Sequence, residues 1–331
     1  MTTVASRKRV GLTSTIPVEV VYAAGLIPVD LNNAFIASAN PLADIAAAER
    51  DGFPRNYCAW MKGIYGALQR YEDIETVIGV VQGDCGNTTA LTDLLTSRGL
   101  SVIPFAYPAD ADPENLKREI ENLAKRFNVG LAEAEKVKVE LDETRRLAWS
   151  VDQMTWKQGT VTGRENHEAL VNLSDFGGDP AVCAAGLSAL LFAASERPPR
   201  RAFTRLGLAG VPPIWTDIYE RSESMGAGIV YNEVQYEFSM PEARTGIVEQ
   251  YSSYTYPYGS VGRAAKIAKE SARRGLAGLV HYTQSFCYHQ LDDAVFRSIL
   301  DIPILKLEAD MPGPMDARSL VRLEAFLESL A

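Results

Sequence analysis

Thr76-Val77-Ile78-Gly79-Val80-Val81 is a nearly continuous apolar run. A strand that is apolar on both faces marks a buried parallel sheet, because only a covered sheet dispenses with a polar side. The residues around it repeat the theme. Residues 9–12 read as a short strand, and 16–24 as a helix closed by Gly25 at its C-terminal end. A strand begins over 26–29, a helix over 91–98 ends at Gly99, and 101–104 reads as an edge-type strand. The middle differs. Residues 113–156 are rich in Glu, Lys, Arg, Leu and Ala at helical spacing, one long helix or two with a solvated charged face. A further helix spans about 179–194, and Glu196-Arg197-Pro198-Pro199-Arg200-Arg201 breaks the pattern as a linker.

The rhythm returns after it. Strands are expected at 206–210, 228–230, 278–281 and 304–307, with helices at 214–225, 260–274 (stopped by Gly275) and 316–330. This alternation predicts an α/β protein with two doubly wound parallel-sheet domains joined by a helical segment. The expected division is an N-terminal α/β domain over 1–150, ending in the long charged helices. A helical connector to about 200 and a C-terminal α/β domain follow over 151–331. In such sheets ligands bind at the carboxyl ends of the strands.

The 331 residues suffice for two such cores. A net charge of -9 argues against nucleic acid as the main partner, since phosphate binding needs a basic face. The basic start, Met1 to Arg9, has no apolar stretch behind it, and the apolar stretch 181–194 is too short to span a bilayer. No membrane association and a cytoplasmic location are expected. In a reducing compartment the four cysteines are expected as free thiols or metal ligands rather than disulfides.

Three cysteines stand where chemistry is expected. Cys58 lies in Tyr57-Cys58-Ala59-Trp60, Cys85 in Gly83-Asp84-Cys85-Gly86-Asn87-Thr88, and Cys287 in Gln284-Ser285-Phe286-Cys287-Tyr288. No pair forms a local Cys-x-x-Cys hook, so only the fold can bring them together. Thiolate is a soft ligand suited to iron–sulfur clusters or zinc. Three cysteines with His281 or His289 could make a closed zinc site, although structural zinc sites usually contain a tight cysteine pair. Cys183, in Ala181-Val182-Cys183-Ala184-Ala185, is expected in the core. His167 is expected to be a solvated helical residue.

These motifs, taken together, resemble the 2-hydroxyacyl-CoA dehydratase D-component family, which includes the cluster-bearing subunits of benzoyl-CoA reductase. The resemblance also rests on residues 16–29, Ile-Pro-Val-Glu-Val-Val-Tyr-Ala-Ala-Gly-Leu-Ile-Pro-Val. It extends to Ile302-Pro303-Ile304-Leu305-Lys306-Leu307-Glu308-Ala309-Asp310 and the closing Arg322-Leu323-Glu324-Ala325-Phe326-Leu327-Glu328. Residues 231–241 look like a less-studied branch. The resemblance implies a 4Fe-4S cluster held by Cys58, Cys85 and Cys287, with one iron open. It implies a separate ATP-hydrolysing iron–sulfur activator protein, a related sister subunit or a second copy as dimer partner, and an acyl-CoA-type substrate. The implied reaction is radical dehydration of a 2-hydroxyacyl thioester. A low-potential reductase of benzoyl-CoA or double-cubane type and a non-catalytic cluster- or zinc-bearing subunit are the alternatives. The chain departs from the family pattern at Pro17-Val18-Glu19, which has one acid where the family has two. It departs again at Asp84-Cys85, where the family's order is reversed, and at Ser319-Leu320-Val321-Arg322-Leu323 before the last helix.

The remaining candidates have two readings each. Ser14, in Thr13-Ser14-Thr15, is a helix N-cap or, as the family position implies, a hydroxyl bonded to the open-iron ligand. Glu19 is a first-turn acid or a site carboxylate. His281 is a satisfied buried histidine or a proton donor. Glu233 and Gln235 follow a strand and are read as substrate-binding. Tyr254 and Tyr256, flanked by Tyr251 and Tyr258, form a packed loop or line a substrate pocket. No Gly-rich dinucleotide fingerprint is present in the sequence.

Overall fold

The structure, a computed structural model, describes residues 8–200 and 203–330. The start of the chain through Arg7, and Arg201 at the end of the expected linker, lie outside the described residues. The chain forms two compact units. The first takes residues up to Thr144, Asn172–Cys183 and Ala243–Pro257; the second takes Arg145–Val171, Ala184–Glu242 and the residues from Tyr258 on.

In the first unit β1 (Arg9–Leu12), β2 (Ile27–Asp30), β3 (Ile74–Gln82) and β4 (Ser101–Ala106) pair in parallel in the order β2-β1-β3-β4. In the second, β5 (Thr204–Gly210), β6 (Ala227–Asn232), β7 (Gly278–Thr283) and β8 (Ile304–Glu308) pair in parallel in the order β6-β5-β7-β8. The second order repeats the first. Each reverses direction after its first strand, so each has a switch point, between β1 and β3 and between β5 and β7. Val77, Ile78 and Val80 on β3 and Leu279, Val280 and Tyr282 on β7 are buried, as two-sided strands must be. The expected α/β fold with two parallel-sheet domains is thus the observed one.

The punctuation by glycine also holds. Gly25, Gly99 and Gly275 take positive φ just past helices ending at Ala23, Ser97 and Arg274. Other boundaries move. The helix expected at residue 91 begins at Gly86. Residues 214–217 form a loop instead of a helix start. Trp215 bridges to Gly313, Asp217 accepts from the Met315 N–H at 2.7 Å, and the helix runs only over Ile218–Ser224.

The charged middle is two helices, Pro113–Arg126 and Leu131–Lys157. Their polar face is not wholly solvated. Lys138 and Asp142 pair in a buried contact of 2.5 Å, and Asp152 receives two bonds of 2.8 Å from buried Arg274. The Pro180–Ser195 helix departs from expectation in the other direction. Cys183 on it, expected in the core, is only half-buried, and most of the helix's residues are exposed. Apolar composition alone does not place a helix inside.

Asp175 is a buried carboxyl in the first unit. It accepts the N–H groups of Asp30 (2.7 Å) and Gly177 (2.8 Å). Burial, reinforced by the Asp30 carboxylate, outweighs those donors and pushes its pKa up to about 7. A raised acid binds its proton in the folded state before the unfolded chain does. Its stabilisation is therefore complete below the unfolded value and is lost as pH rises through about 7. Asp175→Asn should remove this term. Comparing urea midpoints of wild type and variant from pH 5 to 7 should show wild type losing on the order of 1 kcal/mol per pH unit more than the variant. Parallel pH dependence in the two proteins would exclude a raised Asp175.

Gly210, at the end of β5, has φ +116, and a Cβ there would lie 2.0 Å from the Tyr282 carbonyl oxygen. Neither strain nor clash can be relieved by a rotamer. Gly210→Ala is expected to cost at least about 2 kcal/mol in denaturant unfolding. Gly186, inside the exposed helix with nothing within 4 Å of its would-be Cβ, should behave oppositely. Gly186→Ala is expected to stabilise by roughly 0.5–1 kcal/mol.

Candidate functional site

Cys58 is the N-cap residue of the Ala59–Leu68 helix. All ten residues of that helix are buried. Two glycines allow the fit: a Cβ on Gly63 would strike the Phe35 ring at 2.4 Å, and one on Gly66 the Asp44 carbonyl at 2.1 Å. Its one charge, Lys62, is neutralised by Glu49 at 2.8 Å and bonds the Arg55 carbonyl at 2.9 Å. Cys58 is therefore held at the tip of a rigidly packed element. A cavity of about 200 Å³ lined by Phe53, Tyr57, Leu91 and Leu94 opens beside this segment.

Cys85 is the N-cap residue of the Gly86–Ser97 helix, directly after β3. Its sulfur accepts from the backbone N–H groups of Asn87 and Thr88. Asp84 shapes the turn: one carboxylate oxygen accepts from the Cys85 N–H at 2.8 Å, the other from the Thr88 hydroxyl at 3.1 Å. This is the local work done by the reversed Asp-Cys order. Thr88 also lies 3.9 Å from the Met61 sulfur, which links the two cysteine-bearing helices. Burial pushes the Asp84 carboxyl up to about 6. Burial, then the charge of Asp84, pushes the Cys85 thiol up to about 11, and the Cys58 thiolate is near enough to contribute. Helix N-terminal donors act the other way and favour a thiolate.

Ser14 follows β1 in the same unit. Its side chain is hydrogen-bonded to the Tyr254 hydroxyl. None of the three expected hydroxyls caps the next helix: the N-cap of Val18–Ala23 is Pro17, with no side-chain cap. Thr13 instead accepts from the Val80 N–H at 3.1 Å, and the Thr15 carbonyl accepts from Tyr107 at 2.9 Å. Glu19 is fully buried in the first turn and accepts from Tyr251 at 2.8 Å; that hydroxyl in turn accepts from the Val18 N–H. Tyr254 and Tyr256 are buried and stacked at 6.4 Å, with Tyr107 edge-on to Tyr254 at 5.2 Å.

In the second unit Cys287 caps a short 3-10 turn, Tyr288–Leu291, after β7. Phe286 beside it has φ +61 and is 88% exposed. His281 on β7 is fully buried, with Nδ1 3.4 Å from Asp293. Burial holds its pKa below the ordinary value, so the ring is neutral. With the Nδ1 proton directed at Asp293, Nε2 is an acceptor, and it has no hydrogen-bond partner. The Thr283 hydroxyl, two residues along the same strand face, is buried in the same state.

Glu233 opens the Glu233–Ser239 helix and is buried against Arg263 at 2.6 Å. The Gln235 side-chain oxygen lies 2.6 Å from His167 Nδ1 and 3.4 Å from the Tyr219 hydroxyl. His167 is therefore no solvated residue. Burial pushes its pKa down to about 4, because the desolvated ring resists a charge. The signal that could have found it was its partner, which lies 68 residues away in sequence.

Among the described residues no three His, Cys, Asp or Glu side chains converge closely enough to hold a single metal ion. The closed Cys₃His arrangement considered for zinc is not formed among them. A cubane has a different demand, since its ligands bind separate corners. The donor set suits it: three half-buried cysteines outside any disulfide, two of them at the N-termini of helices of 10 and 12 residues. Sequence reasoning missed Asp84, Thr88, Arg263 and Asp292, which shape these positions without contributing sulfur.

No curated protein matches this chain. The family described as 2-hydroxyglutaryl-CoA dehydratase, D-component, matches residues 13–330, a span that includes Cys58, Cys85 and Cys287. An acyl-CoA dehydratase component is part of an enzyme, and over this span the chain belongs to the 2-hydroxyglutaryl-CoA dehydratase D-component family.

Proposed function

We propose that this chain is the cluster-bearing subunit of a 2-hydroxyacyl-CoA dehydratase-type lyase. It would act on a 2-hydroxyacyl thioester after one-electron activation by a separate ATP-hydrolysing iron–sulfur protein. The observation that carries the reading is positional. Cys85 follows β3 and Cys287 follows β7, equivalent strands of two sheets with the same order, and each cysteine stands at the carboxyl end beside a switch point. Cys58 caps a helix preceding β3, and such a helix runs back against its strand, so its N-terminus belongs to that same edge.

When bound, a 4Fe-4S cluster held by Cys58, Cys85 and Cys287 supplies low-potential one-electron chemistry and, at an iron without a protein ligand, Lewis acidity. The chain's own residues then divide the remaining work. The N–H groups of Asn87 and Thr88 stabilise charge on the Cys85 sulfur. His281 Nε2, buried and without a hydrogen-bond partner, is the candidate proton acceptor of the second unit. Ser14, held by Tyr254, offers a hydroxyl at the end of β1. Glu19 is committed to Tyr251 and holds the Val18–Ala23 helix in place.

A second subunit of this fold completes the reading. The Pro180–Ser195 helix has no charged side chain and leaves Val182 68% and Phe192 73% exposed. Large apolar side chains left exposed on an uncharged helix support an association surface here. Phe192→Glu is expected to convert a dimer to monomers in light scattering, and Val139→Glu on the charged Leu131–Lys157 helix to leave it intact. A dimer unchanged by Phe192→Glu would move the interface elsewhere.

Iron analysis tests the cluster itself. Anaerobically purified protein should carry about four irons per chain, as one cubane requires. Cys58→Ser, Cys85→Ser and Cys287→Ser should each lose most of it, whereas Cys183→Ser should keep it. Stoichiometric zinc in place of iron, or equal loss in all four variants, would reject the assignment. Product analysis with activator, ATP and reductant then separates dehydration from reduction.

A further inference from the structure

Arg263 is fully buried in the first turn of the Ser260–Arg274 helix. Its guanidinium has five N–H donors in a rigid fork. Nε and Nη2 grip both oxygens of Glu233, at 2.6 and 2.9 Å. Nη2 also donates to the Gly210 carbonyl at 2.8 Å, and Nη1 donates to Asp292 at 2.6 Å. The remaining donor faces His289 Nδ1 at 2.8 Å, and that nitrogen lies 2.6 Å from Asp292. Glu233 closes the circuit by accepting from the Gly210 N–H at 3.2 Å.

The partners come from three different places along the chain. Gly210 ends β5, Glu233 follows β6, and His289 and Asp292 follow β7. One side chain therefore gathers three of the segments at the carboxyl ends of the second sheet's strands. The third carries Cys287, whose carbonyl accepts from the Gln290 N–H at 3.1 Å inside the same turn. The turn is under opposing demands. Phe286, Tyr288 and Leu291 face solvent, while His289 and Asp292 are drawn inward. Phe286 also sits in the left-handed region, which a bulky residue occupies only when its surroundings over-determine the backbone.

We propose that Arg263 is a positioning residue for Cys287: through Asp292 and His289 it fixes the 284–292 segment, so that the cysteine sulfur is presented in one geometry. The consequence for a cluster rests on Cys287 being a ligand, as proposed above; the fixing of the segment does not. Lysine cannot replace the fork. A point charge cannot serve Glu233, Gly210 and Asp292 together. Replacing Arg263 alone by an apolar residue would leave Glu233 and Asp292 as buried, unpaired carboxylates, which is costly, and would tie no segment to another.

The test is hydrogen–deuterium exchange on the full chain, purified anaerobically, for wild type, Arg263→Lys and Asp292→Ala. Exchange over 284–292 should accelerate about tenfold to a hundredfold in both variants, the effect of losing a charge-assisted hydrogen bond from a local opening equilibrium. Alkylation of Cys287 should speed in parallel. The segments holding Cys58 and Cys85 should keep their wild-type exchange. Unchanged protection of 284–292, or acceleration spread evenly over the chain, would overturn the proposal. If Arg263→Lys does not fold, Asp292→Ala decides alone, since it removes only the outer arm and leaves the Glu233 pair. Full iron retention in Cys287→Ser would sink the ligand reading while leaving the exchange result to judge the positioning role.

Discussion

Parallel strands cannot be joined by a tight turn, and the rest of this protein follows from that constraint. Each neighbouring pair in both sheets is linked through a crossover containing helix. A crossover helix returns antiparallel to its strands, so its N-terminus, with unpaired N–H groups, arrives at the carboxyl edge of the sheet. That edge is rich in backbone donors before any side chain is chosen. Cys85 occupies an N-cap position there, directly after β3, and Cys58 caps the helix that precedes β3. A soft anionic ligand placed at that point meets N–H dipoles aligned with its charge.

Buried charge is the second organising feature. Arg274 lies among Asp152, Glu270 and the Val230 carbonyl, and Arg263 among Glu233, Asp292 and the Gly210 carbonyl. Both arginines belong to the Ser260–Arg274 helix, eleven residues or about three turns apart, on one side of it. Such pairs contribute little net stability over apolar packing, while losing one partner is costly. Their effect is to tie defined partners together. Arg274 joins the long Leu131–Lys157 helix to β6, and Arg263 joins the loops at the functional edge.

Much of this was legible in the residues. The two-sided strands declared themselves at 76–81 and 278–281, and Gly25, Gly99 and Gly275 marked helix ends because their positive φ suits no other residue as well. What failed did so for identifiable reasons. Gly86-Asn87-Thr88-Thr89 has turn chemistry, yet it forms the first turn of a helix whose N-terminus is held by Asp84 and Cys85. Residues 214–217 have apolar helical spacing, but Trp215 and Asp217 are claimed by partners near residue 313. Cys183 reads as core because the apolar composition of the Pro180–Ser195 helix cannot distinguish a helix packed inside from one that lies largely exposed. His167 and Asp292 were unreadable because what defines each is a long-range contact, with Gln235 in one case and Arg263 in the other.

The repeated strand order sharpens what distinguishes the two halves. Cys85 and Cys287 hold corresponding positions on the two sheets, but they are supported differently. Behind Cys85 stands the desolvated carboxyl of Asp84, bonded to the turn's own N–H and to Thr88. Behind the Cys287 turn stands the Asp292 carboxylate, bonded to His289 and to Arg263, which also holds Glu233. Strand order alone would make the two sites equivalent; these second layers do not. The turn at Cys85 is closed by its own neighbours, whereas the one at Cys287 is tied through Arg263 to distant segments, and Cys58, on the helix preceding β3, has a third environment.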